Sequence, residues 1–547
     1  MEHGSEMVSV SPSAANRVPL RLHRLADNYY YRQHWTSRCI GNTVLYVALR
    51  GAVLRTFGLM ALVACVFGIG AYAQKTEQPA SRFFDVRTFG AAGDGKTLDT
   101  AAITKAINAA NAAGGGTVLV PPGTYLSGTL ELLSNVTLYL EAGSVIEGST
   151  DVKDYGGTAE YGFGRKYGID STGEGYRVGL IVARHAQNVS ITGRGTIDGN
   201  GDSFFDMKSV HNGVDYDAKY TRQGADYSAA KYGLEFGPAE VGPNGRPGTM
   251  IIFSDCSNIL VRDVTLSNSP NWTMHLQGSE RANITGIHIV NDTLIPNNDG
   301  IDCMRCKHVH ISDSDIRAGD DDFAIVSSDD VNVNNCSLTS LSSAVRLEDT
   351  RYATFDNLTI HANRGLAVFS VGEEHTAHIV FSNIAMETSL ITGHWWGKAE
   401  PIYIAAQAGH GTAEIRDIRF VNISIEAESG IMLRGAADAI VHDVYLGQIR
   451  MHVRAPLPRI AQSVGGNFDL RWTPVGMSQA IFKHDIPAIY VSYLDGLRIR
   501  DFHLTWGENL PAYFSSAVEV QDSKNLDYAD FKPTSRPGST APPVFTH

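Results

Sequence analysis

The residues best placed to do chemistry are a set of aspartates in two neighbouring stretches. Asp299 and Asp302 stand in NNDGID, and Asp320, Asp321 and Asp322 stand in AGDDDFAI. Asp299 precedes Asp320 by 21 residues and Asp321 by 22. If the chain brings them together, each charge raises the pKa of the others, so one carboxyl keeps a proton while another stays ionised. A protonated acid beside an ionised base is the equipment for cleaving a glycosidic bond. Asp is also an ordinary turn residue, and a cluster of Asp oxygens also suits a hard cation such as calcium. Three aspartates at nearly one spacing, two of them adjacent, favour chemistry over turn-making.

Whether they meet depends on the elements that carry them. A short phrase of Asn or Asp followed by alternating apolar residues returns along the chain, as in SNILVRDVTL, KHVHISDSDI, DDVNVNNCSL and AHIVFSNIAM. Its first apolar positions are Ile259, Ile284, Val309, Val331, Ala353 and Ile379, in steps of 25, 25, 22, 22 and 26. Further copies begin at Val136, Val189, Ile418 and Leu497. A period in this range marks a solenoid, and alternation over a few positions marks short strands. No helix-length amphipathic segment separates the copies. The expected fold is all-β, a single-stranded right-handed parallel β-helix of about ten coils. A spacing of 21 or 22 is then one coil, and the aspartates become stacked neighbours.

The ends of a solenoid need covering. Ile103, Ala106, Ile107 and Ala110 follow helical spacing after Asp99 and Thr100, which predicts an N-terminal capping helix with one of those two as N-cap. Stretches 202–247 and 450–490 break the period and are expected as loops that could wall a cleft. Residues 533–547 read as a flexible Pro/Ser/Thr-rich tail. The β-helix domain is placed at 74–532.

The chain has 547 residues, 43% hydrophobic and 19% charged, with a formal charge of −13. That is a globular composition, and its sign argues against a nucleic-acid partner. The apolar run 57–73, preceded by Arg50 and Arg55 and ending Ala71-Tyr72-Ala73, reads as a signal sequence within a leader spanning 1–73. This implies a secreted or periplasmic protein with no membrane attachment once the leader is cut. Cys256, Cys303, Cys306 and Cys336 are too few to staple the domain. The Cys303/Cys306 pair lacks a partner set for zinc, so buried thiols are expected.

Taken in order, VRTFGAAGDGKTLDT, GRGTIDGNGDSFFD, RPGTMIIFSDCSNILVRDVTLSNSPNWTMHL, NNDGID and AGDDDFAI resemble the polygalacturonase family of glycoside hydrolases, family 28. The resemblance covers most of the chain beyond the leader. It implies hydrolysis of pectic polysaccharides with inversion, no cofactor and no metal, by a protein expected to be monomeric. The family's Asn-Thr-Asp falls on Asn297-Asn298-Asp299, and its paired Asp on Asp320-Asp321. By resemblance Asp320 is the general acid, and Asp299 and Asp321 hold and deprotonate the attacking water. One-coil stacking implies carboxyl separations that the usual distance rule reads as retaining, so inversion rests on the resemblance alone.

Two departures bear on specificity. Leu341-Ser342-Ser343 stands where the family has Gly-His-Gly, and Ala367-Val368-Phe369 where it has Arg-x-Lys, the uronate grip. The Gly-His-Gly at 409–411 lies several coils away. Arg346 could supply a guanidinium to the cleft or pair with Glu348 or Asp349. Trp395 and Trp396 could form a platform for sugar faces, with Lys398 as a polar contact, and Trp272 and His275 fall on the expected cleft face one coil before Asp299. Two other classes stay open: a polysaccharide lyase on the same scaffold, and a carbohydrate-binding β-helix without catalysis.

Overall fold

The computed structural model describes residues 82–156, 179–210, 217–227, 239–370, 375–393, 395–406, 414–470 and 479–547. The apolar run 57–73 and the Gly-His-Gly at 409–411 lie outside the described residues. Among the described residues no helix is long and apolar enough to cross a membrane.

Each repeat folds as three short strands, and every strand pairs in parallel with its equivalents one repeat before and after. The result is a parallel β-helix with three ladders. In the first, Val331, Ala353, Ile379, Ile418, Val444 and Leu497 occupy one column. In the second, Ile289, Ile316, Leu338, Ile360, Met386, Ile425, Met451 and Leu504 do the same. In the third, Phe253, Leu276, Cys303, Ile325, Leu347, Val368 and Ile404 line up. These columns form the continuous buried core. The aliphatic phrase misplaces one rung: Ile284 pairs with Val261, and Ala282 occupies the place beside Ile259. Alanine is small enough to leave the first inward position inconspicuous, so the first large residue marks the second.

Recurrent Asn and Asp have a conformational reason. Asn135, Asn188, Asn258, Asn335, Asn357, Asn383 and Asn422 all have φ between +53° and +64°, the left-handed region that Asn tolerates better than branched residues. There the strand bends, and the amides of successive coils bond to one another. Asn188 donates to Asn135 at 2.8 Å and Asn258 to Asn188 at 3.0 Å. Asn357 donates to Asn335 at 3.1 Å, and Asn422 to Asn383 at 2.7 Å.

The helix Thr100–Ala112 forms where the spacing placed it, with Ile103, Ala106, Ile107 and Ala110 fully buried in the same core. Asp99 stands at the N-cap, one of the two expected positions, without a capping bond from its side chain. Its carboxylate instead accepts from the Ala92 and Gly93 amides at 2.7 and 3.0 Å, and Thr100 Oγ1 accepts from the Gly128 amide at 2.8 Å. The tail makes contacts of its own with the solenoid. Val544–Thr546 pairs with Val518–Val520, and Trp506 Nε1 donates to the Thr534 carbonyl at 2.7 Å. The last rung of a ladder offers unpaired backbone groups, and the tail satisfies them.

Turns from the second ladder into the third carry the longest excursions. They include 291–300, 319–322, 341–344, 389–401 and the insertions 199–250 and 454–488, the latter two placing strands Phe205–Val210 with Ala239–Val241 and Asn467–Asp469 with Ile481–Lys483 outside the ladders. The four described cysteines are free and buried.

Phe355, Phe381 and Phe420 stack through the first ladder with centroids 5.1 and 5.0 Å apart. Phe381 is the middle ring and touches both, so Phe381→Ala should destabilise the domain by about 3–5 kcal/mol. Chemical denaturation followed by tryptophan fluorescence measures this.

Candidate active site

The turn 291–300 and the turn 319–322 lie on adjacent coils, and the ladder holds them in phase. Gly300 N–H donates to the Asp321 carbonyl at 2.9 Å, Ile301 N–H to that of Asp322 at 2.9 Å, and Asp322 N–H to that of Ser343 at 3.0 Å. Asp299 and Asp321 therefore sit one above the other. Asp299, Asp320 and Asp321 each present a carboxylate oxygen to a common space in which these atoms lie within 4.8 Å of one another. All three residues are buried, between 6% and 8% exposed.

Neighbouring backbone fixes the two turns. Asn298 spans them, its Oδ1 accepting from the Gly319 amide at 2.7 Å and its Nδ2 donating to the Asp292 carbonyl at 2.6 Å. Asn291 donates to the Asn298 carbonyl at 3.0 Å, and Ser340 Oγ donates to the Asp320 carbonyl at 2.6 Å. Ser343 N–H donates to Asp321 Oδ1 at 3.0 Å. The residue standing in place of the family's second glycine thus anchors one of the acids through its backbone.

The electrostatics of the group are uneven. Burial, then the charges of Asp320, Asp302 and Asp321, push the Asp299 carboxyl well above the ordinary range. Burial also raises Asp321, but the guanidinium of Arg346, the Ser343 hydrogen bond and Arg364 oppose the rise. Arg346 Nε lies 3.9 Å from Asp321 Oδ2. Asp302 and Asp322 are raised strongly, mainly by burial and by Asp321. Of Asp299, Asp302, Asp321 and Asp322, Asp321 has the most groups opposing the rise. Oxygens this close could also ligate a hard cation.

The other expected site residues divide into two groups. Near the acids are Asn297, whose Nδ2 lies 3.5 Å from Asp320 Oδ2, and Arg346, which faces Asp321 and also pairs with Glu348. The ion pair with Glu348 is thus formed, with the guanidinium also turned toward Asp321. His275 lies beside Asp302 in the third ladder and packs edge-on against the half-buried Trp272 ring, centroids 5.2 Å apart. Burial and Arg305 lower its pKa to about 3, so the imidazole is neutral in ordinary buffers. Trp395 and Lys398 are placed differently from expectation: they are 3% and 1% exposed, not open to a cleft. Lys398 Nζ donates to the Gly397 carbonyl at 2.9 Å and lies 5.9 Å from the Tyr227 ring. A buried ammonium needs such partners. Trp396 is half-buried, and its amide meets Ser342 Oγ at 3.3 Å.

Several residues that shape the site gave little sequence signal. Arg246 is buried and donates to the carbonyls of Pro270 and Pro296 at 3.0 and 2.7 Å and to Asn297 Oδ1 at 2.9 Å. It thereby orients the amide that faces Asp320. Its only mark is a basic residue where an insertion re-enters the ladder. Arg364 pairs across the ladder with Ser343, is 1% exposed, and lies 3.2 Å from Asp469 and 3.6 Å from Glu400. Its mark is a lone cation before the apolar run GLAVF. Phe369, at the position of the family's lysine, has Arg346 and Arg364 at 5.8 and 6.0 Å from its ring. Two guanidiniums thus lie beside this ring, each paired with a carboxylate.

Residues 83–220 match the family Rhamnogalacturonase A/epimerase, pectate lyase-like, and residues 239–434 match Glycosyl hydrolases family 28. A probable polygalacturonase of Vitis vinifera is 32% identical over 246 residues, covering 44% of this chain and 43% of the relative. An exo-poly-alpha-D-galacturonosidase of Dickeya chrysanthemi is 26% identical, covering 45% and 42%. The chain thus spans less than half the length of either. Among solved structures, a family 28 exopolygalacturonase of Yersinia enterocolitica superposes with a TM-score of 0.55 at 18% identity, covering 83% of this chain and 79% of the other. An exopolygalacturonase of Thermotoga maritima gives 0.52 at 20%, covering 77% and 91%. These two likenesses carry the fold.

Asp299 has its folded pKa raised, so the stability it contributes is full below about pH 4 and is lost as pH rises through the folded value. Asp299→Asn removes that loss. The variant should melt above the parent at pH 7, by on the order of 1–3 kcal/mol. The gap should close toward pH 4, as calorimetry at both pH values would register.

Proposed function

We propose that this protein is a divergent member of glycosyl hydrolases family 28 and hydrolyses glycosidic bonds in pectic or related acidic polysaccharides. The observation that carries this reading is the buried three-carboxyl group, with oxygens within 4.8 Å and unequal hold on protons. Asp320 protonates the leaving glycosidic oxygen. Asp299 and Asp321 hold the attacking water, and Asp321, whose charged form Arg346 and the Ser343 amide favour, takes its proton. Asn297, oriented by Arg246, faces Asp320 where the leaving oxygen would dock.

Inversion is proposed from family membership and not from the carboxyl separation, which is short for an inverting pair. The anomer first seen by proton NMR during hydrolysis decides it. Substrate uronates meet Arg346 in place of the usual Arg-x-Lys, so preference should shift away from plain homogalacturonan. Secretion is part of the same proposal, since a polysaccharide of this class lies outside the cell.

A reducing-sugar screen over homogalacturonan, rhamnogalacturonan and short oligomers tests the reading. Asp320→Asn should lower kcat by about 10²–10⁴-fold with KM little changed. Activity should survive a chelator. Equal turnover in the variant, or loss of turnover on chelation restored by calcium, would replace acid–base hydrolysis with a metal-dependent lyase.

A further inference from the structure

The second ladder turns its outer side chains to solvent on a face that the acids do not use. They fall into two columns along the solenoid. Thr359, Ala385, Ser424, Arg450 and His503 stand in register on successive coils, and so do His361, Glu387, Glu426, His452 and Thr505. Between the columns Ile360, Met386, Ile425 and Met451 point inward and are buried, so both columns face out. Together they line an open groove of about 530 Å³. The lining is five coils long and three residues wide, so the groove crosses the strands and runs along the solenoid for about 19 Å. Ala385 and Ser424 keep the middle of the first column low.

The polar groups here are partly unspent. His361 Nδ1 lies 3.5 Å from Glu387 Oε2, and His503 Nε2 lies 2.9 Å from Asp501 Oδ1. A carboxylate only accepts, so those nitrogens carry the hydrogen and the other nitrogen of each ring is left over. His452 uses Nδ1 on Thr505 Oγ1 at 2.9 Å. Among the described residues, the side chains of Arg450 and Glu426 have no hydrogen-bond or ion-pair partner, and both residues are exposed. Glu387 is paired with Arg454 at 2.7 Å, which leaves the charge of the groove near balance.

These features select among occupants. An extended peptide adds along a free sheet edge, whereas this groove crosses a continuous ladder whose backbone groups are already paired. An amphipathic helix needs apolar anchors, and the outward columns are almost wholly polar. A nucleic acid needs a basic surface, and here acids offset the one unpaired arginine. A hydroxyl-rich linear chain fits: ring nitrogens and carboxylates accept from hydroxyls, Arg450 donates, and the same kind of group returns at each rung. The volume is that of a small-ligand site. We infer that this groove holds a strand of polysaccharide at a second site, remote from Asp299, Asp320 and Asp321, and so tethers the polymer. Identifying that strand with the substrate polymer rests on the glycosidase reading above.

Affinity electrophoresis through gels containing homogalacturonan or rhamnogalacturonan tests the tether without turnover. Asp320→Asn should be retarded by at least one polymer. Ala385→Trp in the same background, which fills the groove from an exposed position, should weaken that retardation at least about threefold. In the active protein Ala385→Trp should raise KM for the polymer by a similar factor, with kcat unchanged and kinetics on trimers unaltered. Equal retardation with and without Ala385→Trp overturns the groove and leaves the glycosidase reading standing. No retardation in either gel overturns the groove as well, and release of reducing ends then decides the glycosidase reading separately. Should Ala385→Trp fail to fold, Arg450→Ala replaces it with the same expected loss.

Discussion

A parallel ladder places equivalent positions of successive coils about 4.8 Å apart, and the chain has no freedom to change that distance. The site is a consequence of this constraint. Turns at 291–300 and 319–322 are one rung apart because Gly300, Ile301 and Asp322 donate along the ladder. Acids on those turns must then share one small space, whatever the cost to their ionisation. The core pays for it: long aliphatic columns and stacked phenylalanines hold the rungs against carboxyls that would rather separate.

Close packing alone would leave three equivalent acids. What distinguishes them is the material on the neighbouring coils. The Ser343 amide and the Arg346 guanidinium face Asp321, whereas burial and like charge dominate at Asp299. Unequal surroundings of this kind make neighbouring carboxyls differ in their hold on a proton. The same coils carry other residues at the places of the usual motifs. Ser343 acts through its backbone where a glycine pair and histidine would stand. Arg346 and Arg364 flank Phe369 where a lysine would stand.

Much of this was legible in the sequence because a solenoid converts spacing into proximity. The 21- and 22-residue intervals between Asp299 and the Asp320–Asp321 pair were sufficient to bring the three together. The helix at Thr100–Ala112 was legible from its apolar spacing, and Asp99 stands at its N-cap, although the Asp99 carboxylate serves the turn before it instead of capping. The rung at Ala282 slipped by two because a methyl carries almost no signal. Trp395 and Lys398 were unreadable for another reason. They lie on an excursion, where period says nothing, and their surroundings come from insertions distant in sequence. Arg364 and Arg246 share that difficulty: their partners are carbonyls and carboxylates that only the fold assembles.

The central claim is that Asp299, Asp320 and Asp321 share protons as one unit. Carbon-13 NMR of aspartate-labelled protein, titrated across the acidic and neutral range with Asp299→Asn and Asp320→Asn as assignments, measures it most directly. The account predicts carboxyl signals that move together, at least one of them still protonated above the ordinary carboxylate range, and a shift of the remaining signals in each variant. Three signals that titrate independently at ordinary carboxylate values, unchanged by either substitution, would contradict it.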